Sequence, residues 1–354
     1  REYLEDNRAE LSSRASAERG TCEWYALQHP RKENDRNHFE QKILAPYRAP
    51  ENRFSVDEEG TLTGTQDTTA IYLGKKNLDW VYALSSLLNS KVLNFRYRAL
   101  GGIGKLTGEG MFEYFENQIR KLPIPSQDEN EQEFDQLAEL GRTARDLTRL
   151  KREVSKGVIY EAKSVVSTET SLEEYADLGG PYGDVVTWRS NNPDYIGHLK
   201  ALSVEATEEG FIVSGEVTEN PEWRGAEYEW KTLAEFEIPH QALKRFLLAC
   251  AVYTTEFDEE ISRKQKLTGS DPENILNAAF RTISCLRFDT DAERNLVIIE
   301  RLLDRVADET GRSDLDEILV ELQETLVEID DIALEMYDVQ AQEDIIDQAL
   351  MIVL

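Results

Sequence analysis

At 354 residues and a formal net charge of −29, the chain has room for two or three domains and, taken whole, repels polyanions. It holds no apolar run of about 18 residues that could cross a bilayer, and no signal-peptide pattern opens it. Its three cysteines (Cys22, Cys250, Cys285) and four histidines (His29, His38, His198, His240) make no CxxC or zinc spacing. A disulfide scaffold is thereby excluded, and a cytoplasmic location is expected.

Residues 1–18 read as helix, with Leu4, Leu11 and Ala15 on one face. The sequence starts at Arg1 inside that pattern, so a piece of a longer protein is expected. Short β-prone runs follow at Glu23–Leu27, Lys42–Pro46, Phe54–Val56 and Ala70–Leu73, with a turn-rich Asp57–Gly64 between the last two. Leu78, Val81, Tyr82, Leu84 and Leu88 recur at helical spacing behind Asn77, a natural cap. Lys91–Leu100 is expected to continue as helix, and Met111–Leu122 to be strand or extended chain ending at Pro123-Ile124-Pro125. Phe134–Val154 is a charged amphipathic helix with Leu137, Leu140, Leu147 and Leu150 on its stripe.

Alternation at His198–Ala206, Gly210–Val217 and Ala226–Leu233 predicts a small antiparallel sheet. From His240 onward the pattern is almost wholly helical. Asp271-Pro272 is a helix start, and Leu315, Ile318, Leu319, Leu322, Leu326 and Ile329 form a stripe suited to core packing or to a helix-pair interface. The expected class is α+β. A mixed α/β unit covers 1–125, a helical linker 126–180, a small β module 181–239 and a mostly helical region 240–354.

Charge divides unevenly between these parts. Residues 1–125 hold 18 basic and 18 acidic side chains, leaving 22 of the 40 basic and 51 of the 69 acidic residues to 126–354. The excess reads either as an interaction surface or, preferentially, as a solvated face acidified in the manner of salt-adapted proteins. In molar salt the Debye length is about 3 Å, so an acidic protein can approach DNA if base contacts carry the binding.

Two stretches imitate catalytic motifs. Gly101–Gly110 contains Gly104-Lys105, but Leu106 follows and a helix precedes it, so a phosphate-binding P-loop is disfavoured. A flexible loop bringing Lys105 close to a backbone or groove fits better. Asn192-Pro193-Asp194-Tyr195 resembles the Asn-Pro-Pro-Tyr motif of adenine-N6 methyltransferases, with Asp in its third position and loop before it. A turn ahead of a strand is the plainer reading.

Basic residues interleave with aromatics in the first part, and Arg31, Lys32, Arg36, Lys75, Lys76, Arg96, Arg98 and Lys105 are the candidate DNA contacts. Arginine and lysine hold phosphates and read guanine edges, which is why these residue types count.

The order of segments is familiar. Trp24-Tyr25, Lys42–Pro46 and Asn52-Arg53-Phe54 precede Leu87-Leu88-Asn89-Ser90-Lys91 with Asn94-Phe95, then a glycine-rich loop, then Ile119 through Lys121-Leu122-Pro123-Ile124-Pro125. This series resembles the TaqI-like C-terminal specificity domain of class I DNA adenine-N6 methyltransferases, including type IIG restriction–modification and phage-defence enzymes. Ile329–Val339 is similar to the "D…ELYGL" helix that closes such proteins, departing at Met336 and Asp338.

The resemblance implies a target-recognition domain over 1–125 that binds double-stranded DNA. It places the S-adenosylmethionine-dependent methyltransferase, with its cofactor, in an upstream domain of the same chain. No catalytic or metal site is expected in these 354 residues themselves. The alternative expectation is an acidic helical protein–protein docking module of a phage-defence complex, using 240–354.

Overall fold

A computed structural model describes residues 5, 7–20, 23–25, 41–49, 51–60, 68–73, 77–99, 112–165, 170–171, 187–189, 197–218, 229–238, 240–257, 265–267, 287–288 and 292–351. Where one helix is expected over 1–18, residues 8–18 form two short ones, α1 (Arg8–Ser12) and α2 (Ala15–Glu18). The break falls at Ser13-Arg14, beside serines, which favour local hydrogen bonding over helix interior. Glu23–Tyr25, expected to open a strand, is loop and turn, with Tyr25 exposed.

Next come β1 (Lys42–Pro46), β2 (Arg48–Ala49), β3 (Ser55–Asp57) and β4 (Thr68–Tyr72). β1 lies between β3 and β4, antiparallel to both. Its register sets Lys42 opposite Asp57, and their ion pair at 2.7 Å is almost wholly buried. Helix α3 (Leu78–Asn89) begins where the cap is expected: the Asn77 side chain accepts from the Trp80 N–H at 3.0 Å, a bond contributing about 1 kcal/mol. Ser90 then breaks the chain direction in extended conformation, and α4 (Lys91–Ala99) follows.

Where an extended stretch is expected at 111–122, β5 (Phe112–Glu113) pairs with β2 and a single helical turn, α5 (Glu116–Ile119), follows.

Helix α6 (Glu131–Val165) runs well past the expected 134–154. Gly157 does not end it, because that residue packs against Val306 rather than adopting a turn. After β6 (Thr170–Ser171) and β7 (Thr187–Arg189), the strands β8 (Gly197–Ala206), β9 (Gly210–Thr218) and β10 (Glu229–Glu237) form the expected antiparallel sheet.

Helix α7 (Gln241–Val252) is continued by a π turn at Tyr253–Phe257. Two short strands follow where helix is expected: β11 (Gln265–Leu267), which joins the edge of β8, and β12 (Arg287–Phe288), which pairs with β6. The larger sheet has the order β11-β8-β9-β10-β7. The chain closes with α8 (Ala292–Thr310), α9 (Leu315–Met336) and α10 (Glu343–Met351). Helices with small antiparallel sheets make an α+β protein.

Two hydrophobic cores form, and neither is contiguous in sequence. One gathers Ile43, Phe54, Leu87 and Leu93 with Phe134 and Leu137 from the start of α6 and Ile329, Ala333 and Leu334 from the end of α9. The other gathers Val154 and Val158 from late α6 with Phe211, Val213, Phe246, Leu302 and, from early α9, Leu315 and Ile318. Helices α6 and α9 therefore pass in opposite directions, each serving both cores. The segments expected as linker (126–180) and as helical region (240–354) both reach the first core by this route.

At Gly141, α6 packs directly on α3. A Cβ there would lie 2.3 Å from Ser86 Oγ and 3.1 Å from the Tyr82 carbonyl oxygen. Close backbone approach of this kind needs the missing side chain.

Candidate functional site

Asn52–Phe54 and Leu88–Asn94, two of the segments singled out in the sequence, form a connected frame. Asn89 ends α3 with its side chain turned onto the Asn52–Phe54 loop. Its Oδ1 accepts from the Phe54 N–H at 2.7 Å, and its Nδ2 donates to the Phe54 carbonyl, also at 2.7 Å. Asn52 completes the clamp: its Nδ2 donates to the Leu88 carbonyl at 2.6 Å, and Asn94 Oδ1 accepts from its N–H at 3.3 Å. The Tyr114 phenol donates to Asn52 Oδ1 at 3.1 Å, stacks on Tyr97 at 4.6 Å and meets Phe54 edge-on at 5.8 Å. Burial holds the Tyr97 phenol up at about 12 and the Tyr114 phenol higher still, so both stay neutral donors.

Ser90 and Lys91 tie this frame to the far end of the chain. Ser90 Oγ donates to the Leu87 carbonyl at 2.7 Å, satisfying an orphan acceptor at the end of α3. The Lys91 N–H donates to Asp330 Oδ1 at 2.7 Å, and its ammonium pairs with Glu343 and, at 3.5 Å, with Asp347. Burial works to lower that ammonium, but the three carboxylates outweigh it and the net shift is upward. Burial likewise raises the Asp330 carboxyl, against the Lys91 N–H and charge. Lys91, basic in sequence, is thus committed to internal pairing.

The eight expected DNA contacts are unequally placed. Arg31, Lys32, Arg36, Lys75, Lys76 and Lys105 lie outside the described residues, as do Gly101–Gly110, Asn192–Tyr195 and Asp271-Pro272. Arg96 and Arg98 share α4 but face different surroundings. Arg96 is exposed to solvent. Arg98 is half-buried; its Nη1 donates to the Leu350 carbonyl at 2.7 Å and its guanidinium sits 5.5 Å from the Phe112 ring centre. Arg98 therefore fastens α10 to α4.

Between α3, α6 and α9 lies an open cavity of about 410 Å³, bordered by Phe54, Tyr82, Ser85, Asn89, Arg145 and Asp330 among others. Tyr82 donates to Glu58 at 3.2 Å, Glu58 pairs with Arg145 at 2.9 Å, and Arg142 and Arg145 lie 5.1 and 5.8 Å from the Tyr82 ring centre. Burial, helped by Glu58 and opposed by Arg145, pushes the Tyr82 phenol up to about 12. Of the hydroxyls that border it, Ser85 Oγ donates to the Phe54 carbonyl at 3.3 Å and Ser86 Oγ to the Tyr82 and Leu137 carbonyls at 3.1 and 3.0 Å.

Sequence reading missed this cluster, because Arg142 and Arg145 belong to a helix read only for its apolar stripe. Their spacing of three residues on one face was the available signal. Elsewhere, Cys250 is a fully buried thiol, raised by burial and so a poor nucleophile. Among the described residues no three His, Cys, Asp or Glu side chains gather as a metal set, and no helix is long and apolar enough to cross a membrane.

No model of a known protein family matches this sequence, and no curated protein matches it.

Proposed function

We propose that the chain is the DNA target-recognition part of a site-specific DNA adenine-N6 methyltransferase or restriction–modification enzyme. In this reading S-adenosylmethionine and the methyl transfer belong to a separate upstream domain. The observation that carries it is the convergence of the resembling segments. Direct hydrogen bonds join Asn52 and Phe54 to Leu88 and Asn89, Lys91 to Asp330 of α9, and Pro123 to Tyr337 at the end of that same helix. A rigid frame of this kind is what a recognition surface needs, since base readout demands fixed register against the duplex.

Duplex binding measured across salt tests the proposal. The expected result is binding that weakens linearly on a log–log scale as salt rises. No binding to any duplex at low salt overturns it.

A docking-module reading has its own support in the exposed Val320, Leu326 and Val327 of α9, apolar side chains left among acids. It predicts capture of a partner protein through 240–354 with no DNA contact.

A further inference from the structure

Helix α6 carries a row of cations that the recognition reading did not use. Arg142, Arg145, Arg149, Arg152 and Lys156 follow one another at steps of three and four residues, so they share one face. That face is turned away from the apolar one formed by Leu147, Val154 and Val158. The side chains of Arg142, Arg145 and Arg149 are 40, 44 and 63 % exposed, and Arg152 and Lys156 are exposed as well.

The row is local and against the trend. Residues 142–156 hold six basic and two acidic side chains, in a part of the chain where acids outnumber bases by 51 to 22. Neighbouring like charges at these spacings cost a helix about 0.2–0.5 kcal/mol a pair.

Arg142 and Arg145 are held at one end by Asp79 and Glu58. Among the described residues Arg149 pairs with Asp146 at 3.4 Å and Glu153 at 4.0 Å, both on its own helix. Arg152 lies 5.9 Å from the Phe257 ring centre, and Lys156 lies 5.6 Å from that of exposed Tyr160. Exposed pairs of this kind contribute little and give way to a better anion.

We infer that this row on α6 is a track for the sugar–phosphate backbone of duplex DNA, outside the 1–125 segment to which recognition is assigned. The inference rests on the DNA-recognition reading and adds a second, sequence-independent contact to it. From Arg142 to Lys156 the helix rises about 21 Å. Because a DNA strand winds round the duplex axis, a straight row of this length meets only the few phosphates on its near side. The chain's overall negative charge does not forbid this, because at physiological salt fields are screened beyond about 8 Å and the local row decides.

The test compares the full chain with an Arg149→Gln/Arg152→Gln/Lys156→Gln variant, using fluorescence anisotropy of labelled duplexes of several sequences. Three lost phosphate contacts lower the log–log salt slope by about 2.7. Between about 50 and 200 mM salt, each lost contact removes a factor of about 3.5 from the fall in affinity. The loss is expected to be equal for every duplex sequence. Circular dichroism checks the fold. If the triple variant loses helix, Arg149→Gln alone, whose ion-pair partners lie on α6 itself, is expected to lower the slope by about 0.9.

An unchanged slope in a folded variant overturns the track and leaves the recognition reading standing. Absence of duplex binding by the unaltered chain overturns both.

Discussion

The phenol of Tyr337 donates a hydrogen bond to the main-chain carbonyl of Pro123, joining positions 214 residues apart. Pro123 closes the first unit, and Tyr337 caps α9. Each belongs to a segment singled out by resemblance. Their bond makes the end of the chain part of the first core, and Tyr337→Phe tests how much that matters. The variant keeps the ring but leaves the carbonyl unpaired. Its expected cost is about 0.5–1.5 kcal/mol in denaturant unfolding, with the fold preserved.

Just beyond Tyr337, Asp338 stands at φ +54°, where the similar closing helix has glycine. Its N–H reaches the Glu335 carbonyl at 3.0 Å, and the Val339 N–H reaches that of Leu334 at 3.0 Å, a Schellman arrangement. An L-residue pays for the left-handed conformation, although Asp tolerates it better than most. Asp338→Gly is expected to stabilise the protein by up to about 1 kcal/mol, and Asp338→Ala to destabilise it, both read as shifts in Tm.

Asn89→Ala removes the side chain that clamps Phe54. The Phe54 N–H loses its acceptor, at a cost of about 1–3 kcal/mol. Asn89→Asp keeps the acceptor and is expected to lose less. Under the recognition reading, Asn89→Ala also weakens duplex binding while far-ultraviolet circular dichroism stays near that of the parent.

Alkaline pH should unfold the protein through its buried tyrosines. Burial raises Tyr82 and Tyr97 from 10.0 to about 12, and raises Tyr114 and Tyr337 further. The folded state therefore binds these protons more tightly than the unfolded state. Their contribution is fully present below pH 10.0 and is lost as pH rises through about 12. Denaturant midpoints measured on either side of pH 10.0 should fall only above it. A flat profile to pH 12 contradicts the buried placement of these phenols.

Local signals carried much of the fold. Asn77 announces α3 by its own hydrogen bond, and alternation at 198–217 announces β8 and β9. What escaped was non-local. β11 and β12 have three and two residues and no period of their own; they exist because β8 and β6 offer edges. The helix expected to stop at Val154 runs on through Gly157, which packs against Val306. The candidate site divides in the same way. The frame around Asn89 follows from its motif residues, whereas Arg98 reads as a free cation until the Leu350 carbonyl claims it.

The crossing of α6 and α9 through both cores has a consequence for building hybrids. A chimera that exchanges only residues 1–125 between two chains of this architecture would import Ile43, Leu87 and Leu93 but keep the recipient's Phe134, Leu137, Ile329 and Ala333. Seven buried residues of that core would stay with the recipient, facing a donor surface shaped for others. A working graft has to carry the first turns of α6 and the last turns of α9 along with the donor segment.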